Sequence, residues 1–266
     1  MKRRPTNGQL EGIYPGAYKM PKVDSHAADG GELADAALAP LRTALAELRE
    51  RSPAVCMAAA LGSLRSNVDP SEEACATHMT PLRRAEFIGG RLAIRQALQD
   101  AGHAAPVVVA DGQGVPLFPE GYVGSIAHKH GRAVAIAAKT TTADGLGIDL
   151  EFDENCDEES LVAEIITEVE RPGLAAIRAA EPTVLSPATL VLAAKESVYK
   201  AVFQITRTKF DFDDAELTFR ADSRSFWAAR FPGDKYLAVR GEYEIVDRWI
   251  IAIAYAVSEE RGPASK

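Results

Sequence analysis

Two acidic residues that lie two positions apart, Asp149 and Glu151, are the first candidates for chemistry in this sequence. The alternation around them predicts a strand over residues 146–151, with Ile148 and Leu150 facing the core and both carboxylates on the other face. Carboxylate oxygens suit Mg²⁺, which prefers oxygen ligands and keeps positions for water and substrate phosphate. A solvated strand edge is the alternative, and the spacing alone favours neither.

A second pair is formed by Glu196 and Lys200, which lie four residues apart in a predicted helix over residues 188–203. Residues at this spacing share a helix face. An ordinary exposed Glu–Lys pair would stabilise the protein by only a few tenths of a kcal/mol, on the order of surface pairs in general. Taken by itself, the spacing favours this ordinary interpretation over a catalytic one.

Residues 124–131 place two histidines, His128 and His130, at the end of a short predicted strand. A transition-metal site is disfavoured because no third histidine or cysteine lies nearby in the sequence. His128 is better suited to donate a hydrogen bond to an anion. The alternative is a partly exposed histidine in a turn.

The predicted helix over residues 82–98 carries an unusual number of arginines. Since guanidinium groups match phosphate geometry, this helix is a candidate anion site, with a solvated helix face as the equally weighted alternative. The arginines are Arg83, Arg84, Arg91 and Arg95.

The elements that must position these residues follow from periodicity and turn signals. Residues 1–30 are expected to form a mobile tail, and residues 70–80 a loop. The order of the other elements predicts an α+β protein with an N-terminal half over residues 31–150 and a C-terminal half over residues 151–266. Helices are predicted over 41–51, 82–98, 159–171 and 188–203, and strands over 54–61, 106–110, 124–128, 133–138, 146–151, 215–220, 226–230, 236–240 and 243–257.

Composition excludes several classes of protein. The formal charge of −8 argues against nucleic acid as a partner, because such binding needs basic residues that neutralise phosphates. The longest apolar run, over residues 249–257, is far shorter than the roughly 18 residues of a membrane span. We find no signal peptide, and the three scattered cysteines indicate neither disulfides nor a zinc site. We therefore expect a cytoplasmic protein without a membrane contact.

Taken together, five segments resemble the 4′-phosphopantetheinyl transferases, in the monomeric, surfactin-type branch that includes the enterobactin-synthase transferases. Residues 147–151 are similar to that family's G-x-D-x-E motif, and residues 195–200 to its K-E-x-x-x-K motif. The resemblance extends from about residue 80 to residue 257, and five motifs in the right order are a specific signal. The other three segments are residues 83–98, 116–119 and 124–131.

The resemblance implies two similar α/β halves related by a pseudo-twofold axis, with the active site between them. It also implies transfer of phosphopantetheine from coenzyme A to a serine of an apo acyl or peptidyl carrier protein, with release of adenosine 3′,5′-bisphosphate. Carried over, Asp149, Glu151 and Glu196 would hold Mg²⁺, and Lys200 would stabilise or protonate the leaving phosphate. The residues expected to bind coenzyme A are Arg83, Arg91, Ala127, His128, Lys195 and Lys200.

Several points stay open at this stage. The base that activates the serine could be Glu170, Glu168 or a metal-bound water. Ala127 replaces the usual Ser or Thr of the family, so a hydroxyl contact to the coenzyme is lost. A non-catalytic paralogue that binds carrier proteins, and a Mg²⁺-dependent hydrolase of nucleotide pyrophosphates, are the competing functions. The sequence does not distinguish fatty-acid, polyketide, non-ribosomal-peptide or siderophore carrier proteins.

Overall fold

The structure is a computed structural model that describes residues 30–258, except residues 64, 65, 67, 105, 155 and 233–236. Apart from residue 30, the predicted tail over residues 1–30 lies outside the described residues. Among the helices that are described, none combines the length and the apolar character needed to cross a membrane.

The first group of elements forms an antiparallel three-stranded sheet between two helices. Strand order is β1-β3-β2, so β3 is central. The apolar side chains of α1 pack on one face of this sheet and those of α3 pack on the other. The elements are α1 (Gly30–Arg51), β1 (Cys56–Leu61), α2 (Pro70–Ala74), α3 (Pro81–Asp100), β2 (Tyr122–Lys129) and β3 (Arg132–Lys139).

The second group forms an antiparallel five-stranded sheet with the order β4-β8-β7-β6-β5. The long helix α6 packs against β4 and β8, and its buried face includes Val191, Val198 and Ala201. Two sheets with packed helices confirm the α+β prediction. The elements are β4 (Gly145–Phe152), α4 (Glu158–Ile165), α5 (Arg171–Ala180), α6 (Pro187–Thr206), β5 (Glu216–Arg220), β6 (Ser225–Arg230), β7 (Leu237–Val246) and β8 (Trp249–Ser258).

The two sheets meet where β2 lies beside β4. The side-chain amide of Gln204, on α6, donates to the carbonyl of Gly124 on β2 and to that of Leu146 on β4. Further along, Lys129 at the end of β2 pairs with Glu151 near the end of β4. Gly124 therefore lies near Leu146, and Lys129 lies near Glu151 the same distance further along both strands. β2 and β4 run parallel to each other. Their ends therefore deliver their side chains to one place.

Several predicted elements are wrong in detail. The single strand predicted over residues 243–257 is divided between β7 and β8 by a turn at Asp247 and Arg248, both of which have positive φ. The predicted helix over residues 159–171 is two helices, because Pro172 lies at the start of α5 and not at the end of a longer helix. The predicted loop over 70–80 contains α2, which Asp69 caps through a reciprocal capping box. The predicted strand over 106–110 makes only one isolated bridge, from Ala110 to Pro116.

Candidate active site

The candidate site lies where the ends of β2 and β4 meet the middle of α6. The chain brings together the acidic pair of β4 and the lysine of α6 because α6 runs unusually close to β4. A methyl group at Gly145 or Gly147 would collide with the backbone of α6 at Ala201 or Ser197. The glycines of this motif are therefore needed for the close approach that puts Lys200 beside Asp149.

Lys200 and Asp149 form the central ion pair of the site. The Lys200 ammonium donates to Asp149 Oδ1 at 2.7 Å and to the carbonyl of Ile148 at 3.0 Å. The Lys200 side chain is 26% exposed, whereas that of Asp149 is 10% exposed. Asp149 Oδ2 is buried and has no hydrogen-bond partner. The ion pair therefore leaves one buried carboxylate oxygen of Asp149 without a hydrogen bond. Such an oxygen is costly unless a ligand binds it.

The electrostatics of the acidic cluster point in the same direction. Burial raises the pKa of Asp149, and the nearby Glu196 carboxylate raises it further. Burial also raises the pKa of Glu151, and Asp149 and Glu196 add to that effect, although the Lys129 ammonium at 2.6 Å opposes it. Three carboxylates are therefore close enough to disfavour one another's charge, which is the situation that a bound cation relieves.

The carboxylate oxygens of this cluster are suitable ligands for a divalent cation. They are not arranged as a complete coordination shell. Among the residues that the structure describes, no group of three His, Cys, Asp or Glu side chains is arranged to hold a metal ion. Lys200 and Lys129 instead neutralise Asp149 and Glu151. A hard cation that prefers oxygen ligands would compete with these two ammonium groups for the carboxylates.

His128, also at the end of β2, connects Arg83 to Glu86. Its Nε2 lies 2.5 Å from an Arg83 guanidinium nitrogen, and its Nδ1 lies 3.3 Å from Glu86 Oε2. Burial lowers the pKa of His128 to about 3, helped by the positive charges of Arg83 and Lys200. The imidazole is therefore neutral and accepts from Arg83 through Nε2. It orients Arg83 and adds no positive charge of its own.

Arg91 is a buried cation without a carboxylate partner among the residues that the structure describes. It is only 4% exposed, its guanidinium lies 4.0 Å from the centroid of the Phe87 ring, and its Nε makes no hydrogen bond. Burial lowers the pKa of Arg91 to about 10, so it remains charged at neutral pH. A buried charge in this state is costly, and an anionic ligand would compensate it.

The other two arginines of α3 have structural partners. Arg84 forms an ion pair with Glu73, and Arg95 lies 2.6 Å from the buried Glu72. Glu72 also accepts from the backbone N–H of Val108 at 2.9 Å. It therefore connects α2 both to α3 and to the loop that follows α3. Of the four arginines of α3, Arg84 and Arg95 are therefore structural, whereas Arg83 and Arg91 are available to bind an anion.

Lys195 and Glu170, predicted to bind the coenzyme and to act as the base, form a separate buried ion pair. Both side chains are 1% exposed. The Lys195 ammonium donates to Glu170 at 2.8 Å, to the Ile165 carbonyl at 2.6 Å and to the Phe212 carbonyl at 2.7 Å. All three of its protons are used. Since neighbouring residues of a helix point about 100° apart, Lys195 faces the core while Glu196 faces the site.

Glu170 is equally saturated. One of its oxygens accepts from Lys195 and from the backbone of Thr167, and the other accepts from the backbone of Leu217 at 2.8 Å. Neither oxygen is exposed to a substrate hydroxyl in this arrangement. Ala127, also predicted to bind the coenzyme, directs its methyl group into the core beneath α1 and away from His128, because side chains alternate along a strand. Only its backbone could contact a ligand.

Two residues of the site were missed by the sequence reasoning, Lys129 and Glu86. Lys129 follows His128 directly in β2, so alternation along the strand predicts that their side chains lie on opposite faces. Glu86 lies one helical turn after Arg83, which is a readable signal for an ion pair on α3, and their charged groups are 3.8 Å apart.

Comparisons with known proteins identify two adjoining regions of the chain. A family model described as the 4′-phosphopantetheinyl transferase N-terminal domain matches residues 71–138. A second, described as the 4′-phosphopantetheinyl transferase superfamily, matches residues 145–254. The junction between these matches falls between β3 and β4. The candidate site thus draws residues from both matched regions.

Individual relatives carry related names. The chain is 31% identical over 202 residues to 4′-phosphopantetheinyl transferase Svp of Streptomyces mobaraensis, a match that covers 74% of this chain and 81% of the relative. It is 32% identical to 4′-phosphopantetheinyl transferase PptT of Mycobacterium tuberculosis, over 61% of this chain and 69% of the relative. It is 36% identical to enterobactin synthase component D of Salmonella typhi, over 51% and 55% respectively.

Proposed function

The chain belongs to the 4′-phosphopantetheinyl transferase family and is an enzyme that modifies carrier proteins, and from that premise we propose how its residues carry out the transfer. The proposal takes coenzyme A as the donor and a serine of an apo acyl or peptidyl carrier protein as the acceptor. The observation that carries it is the buried, unpartnered Oδ2 of Asp149 beside Lys200. The two halves of the protein, residues 31–150 and 151–266, then each contribute one side of the site.

Asp149, Glu151 and Glu196 would hold Mg²⁺ on the coenzyme pyrophosphate. The ion would supply positive charge that makes the phosphorus a better electrophile. A cation held by these carboxylates would compete with Lys200 for Asp149 and with Lys129 for Glu151. Both ammonium groups would then be available to the anionic substrate. The two lysines therefore offset part of the negative charge of the cluster and would then serve the anionic substrate.

Lys200 would stabilise the leaving group. The serine oxygen forms a bond to phosphorus, and the bond from phosphorus to the bridging oxygen breaks, so that negative charge develops on adenosine 3′,5′-bisphosphate. An ammonium group at that oxygen acts most strongly in the transition state, and it can also donate a proton. The contact of Lys200 with the Ile148 carbonyl shows that its side chain reaches across to β4 from α6.

Arg83 and Arg91 would bind the other phosphates of coenzyme A. Arg91 is the stronger case, because it is a buried charge with no carboxylate partner among the described residues. Arg83 is held by His128, so that histidine acts as a positioning residue for the guanidinium. A fixed guanidinium loses less side-chain entropy when it binds phosphate.

Glu170 is not the base in this proposal, because both of its oxygens are already hydrogen-bonded in the core. Glu168 is an open alternative, since its side chain is 82% exposed and its only described partner, Arg171, is also exposed. A water molecule near the acidic cluster is the other candidate. Lys195 and Glu170 instead fix the start of α5 and β5 relative to α6.

The direct test is mass spectrometry of an apo carrier protein incubated with this protein, coenzyme A and Mg²⁺. We expect the carrier to gain the mass of one phosphopantetheine, on a serine, with adenosine 3′,5′-bisphosphate as the second product. Coenzyme A turnover in the absence of a carrier would instead favour a pyrophosphate hydrolase. Binding of the carrier without a mass change would favour a non-catalytic paralogue.

The same assay, run on panels of carrier proteins, addresses the pathway. We propose carriers of polyketide or non-ribosomal-peptide synthesis as acceptors, and siderophore synthesis through the similarity to enterobactin synthase component D. We further propose that the enzyme works as a monomer in the cytoplasm. The monomer follows from the resemblance to this branch of the family, and the cytoplasmic location from the three scattered cysteines, which suit a reducing compartment.

A further inference from the structure

A groove runs along β1, at the opposite edge of the three-stranded sheet from the candidate site. Helix α1 forms one wall, α3 forms the other, and the floor is the backbone of Met57, Ala58 and Ala59. Its volume is about 590 Å³. None of the residues placed in the transfer reaction lines this groove.

The outer edge of β1, which forms the floor of the groove, carries backbone groups that make no hydrogen bond to β3. Gly62 donates its N–H to the carbonyl of Gly131 at 2.8 Å, and this pair continues the β1–β3 register. In an antiparallel ladder, hydrogen-bonded and non-hydrogen-bonded pairs alternate. Cys56, Ala58 and Ala60 therefore bond to β3, whereas the N–H and C=O groups of Met57, Ala59 and Leu61 point away from it. Of these three residues, Met57 and Ala59 line the groove.

One contact confirms that direction independently. The guanidinium of Arg49, on α1, donates to the Met57 carbonyl at 2.7 Å. This carbonyl belongs to the outward-facing set, so a side chain already imitates part of a neighbouring strand. Among the described residues, the backbone of Ala59 has no such partner.

The edge of β1 lacks the features that usually prevent pairing. Natural edge strands carry charges, prolines or bulges that block another strand. Residues 56–61 of β1 contain none of these residue types, and the β1–β3 register is uninterrupted. Three consecutive alanines also leave room for a second backbone to approach. The edge is therefore open to a short extended segment.

The walls select for charge. Three arginines and one acidic residue line the groove, in a protein whose formal charge is −8. Arg42 is paired with Asp35 and Arg95 with Glu72, whereas Arg49 donates to a neutral carbonyl and keeps its charge uncompensated at that contact. The ionisable residues of the lining are Arg42, Arg49, Arg95 and Asp100.

We propose that this groove binds an extended, acidic segment of a partner protein, which adds to the edge of β1 as a fourth strand. Main-chain hydrogen bonds to Ala59 would supply affinity. Arg49, the arginine of the lining that has no carboxylate partner among the described residues, would select an acidic side chain. A second copy of this chain fits less well, since pairing two β1 edges would bring the arginines of both grooves together. Residues 1–29 fit less well too, because they hold five basic and three acidic residues.

The test uses the full chain and fluorescence anisotropy with a labelled peptide of alternating Glu and Val, of the same length as β1. Two further peptides are matched controls. One has Lys in place of Glu, and the other keeps the sequence but carries N-methyl groups on the residues that would pair with β1. We expect only the unmodified acidic peptide to bind, because the N-methyl groups remove the donors while leaving the charges in place.

Two variants locate the binding. Ala59→Pro removes an outward-facing donor without breaking a bond to β3, and Arg49→Glu reverses the central charge. Each variant should lower the affinity for the acidic peptide by about tenfold or more. The control variant Arg171→Glu, an exposed charge reversal on α5, should leave this affinity unchanged. Melting temperatures identify any variant that does not fold.

Three results would overturn the proposal: no binding of the acidic peptide to the folded full chain, equal binding of the N-methylated peptide, or unchanged affinity in both folded variants. Size-exclusion chromatography adds a fourth outcome. A dimer that Ala59→Pro dissociates would assign the edge to a second copy of this chain instead. Because transfer does not involve this groove, failure of the proposal would leave the carrier-modification assay unaffected.

Discussion

The two lysines at the ends of the 195–200 segment form ion pairs of opposite character. Lys195 and Glu170 are almost completely buried, and every proton and oxygen of the pair has a partner. In the Lys200–Asp149 pair the lysine is partly exposed, and the buried Asp149 keeps one oxygen without a partner. A pair that is fully satisfied stabilises the fold, whereas a pair with an oxygen left over is prepared for a ligand. The difference separates a structural lysine from a functional one within a single helix.

Loss of the open carboxylate should have the largest effect. Asp149→Ala removes one of the few protein ligands available to Mg²⁺, so transfer should fall by about 10³-fold or more, since a misplaced metal no longer supports catalysis. The melting temperature should change little, because removal of one carboxylate also relieves repulsion within the cluster. Steady-state transfer assays and thermal melts measure both. Glu159→Ala, an exposed residue of α4, serves as the control. Wild-type rates in Asp149→Ala would contradict the metal assignment.

Disruption of the closed pair should instead affect stability. Glu170→Gln leaves the Lys195 ammonium buried without a counter-charge, which typically costs about 3–5 kcal/mol. The free energy of unfolding from urea titration should fall by this amount, while kcat per folded molecule should fall far less than in Asp149→Ala. A large loss of kcat at unchanged stability would restore Glu170 as the base.

Arg91 extends the comparison to a charge that has no carboxylate partner among the described residues. Arg91→Met keeps the volume of the side chain and removes a buried charge, so stability should be unchanged or higher. The KM for coenzyme A should rise by about tenfold or more while kcat changes less, because the contacted phosphate does not react.

The matching control for Arg91 is a change of substrate. A donor that lacks the 3′-phosphate should show a smaller difference between wild type and Arg91→Met. His128→Ala should give a weaker form of the same pattern, since it loosens Arg83 and removes no charge. Equal penalties with both donors would show that Arg91 does not contact that phosphate.

A smaller effect is expected from pH in the absence of metal. Burial and the neighbouring carboxylates raise the pKa of Glu151 from 4.5 to about 7. A raised carboxyl pKa means that the folded state binds the proton more tightly, so stability is lost as the pH rises through this interval. Glu151→Gln cannot ionise and should gain relative to wild type as the pH increases. Thermal melts in EDTA between pH 5 and pH 8, as an approximate window, measure the difference. A constant difference across that interval would contradict the pKa shift.

Much of this architecture follows from the sequence, because it depends on local periodicity. The helices containing Arg91 and Lys200 lie over Pro81–Asp100 and Pro187–Thr206, close to the predicted residues 82–98 and 188–203. The acidic pair of β4 also falls on the predicted strand. Two prolines were harder to interpret: Pro172 begins a helix where an end was predicted, and Pro70 begins α2 where a loop was predicted.

The division of roles within the motifs could not be predicted in the same way. Sequence spacing places Lys195 next to Glu196, but only the packing of α6 shows that Lys195 reaches the carbonyls of Ile165 and Phe212. Likewise, the arginines of α3 are equivalent in sequence until Glu72 and Glu73, from another helix, neutralise two of them. These contacts are long-range, so composition and periodicity carry no information about them.

The most direct test of the central claim compares Lys200→Met with Lys195→Met, measuring kcat and the free energy of unfolding for both. For Lys200→Met we predict a loss of about 10²–10³ in kcat, since a transition-state contact is removed. Its loss of stability should be smaller than that of Lys195→Met, because Asp149 can take up a proton when its counter-charge is gone. For Lys195→Met we predict a loss of stability of several kcal/mol, on the order of 3–5, with a much smaller change in kcat. A wild-type kcat in Lys200→Met, or an unchanged stability in Lys195→Met, would contradict the distinction between the open and the closed pair.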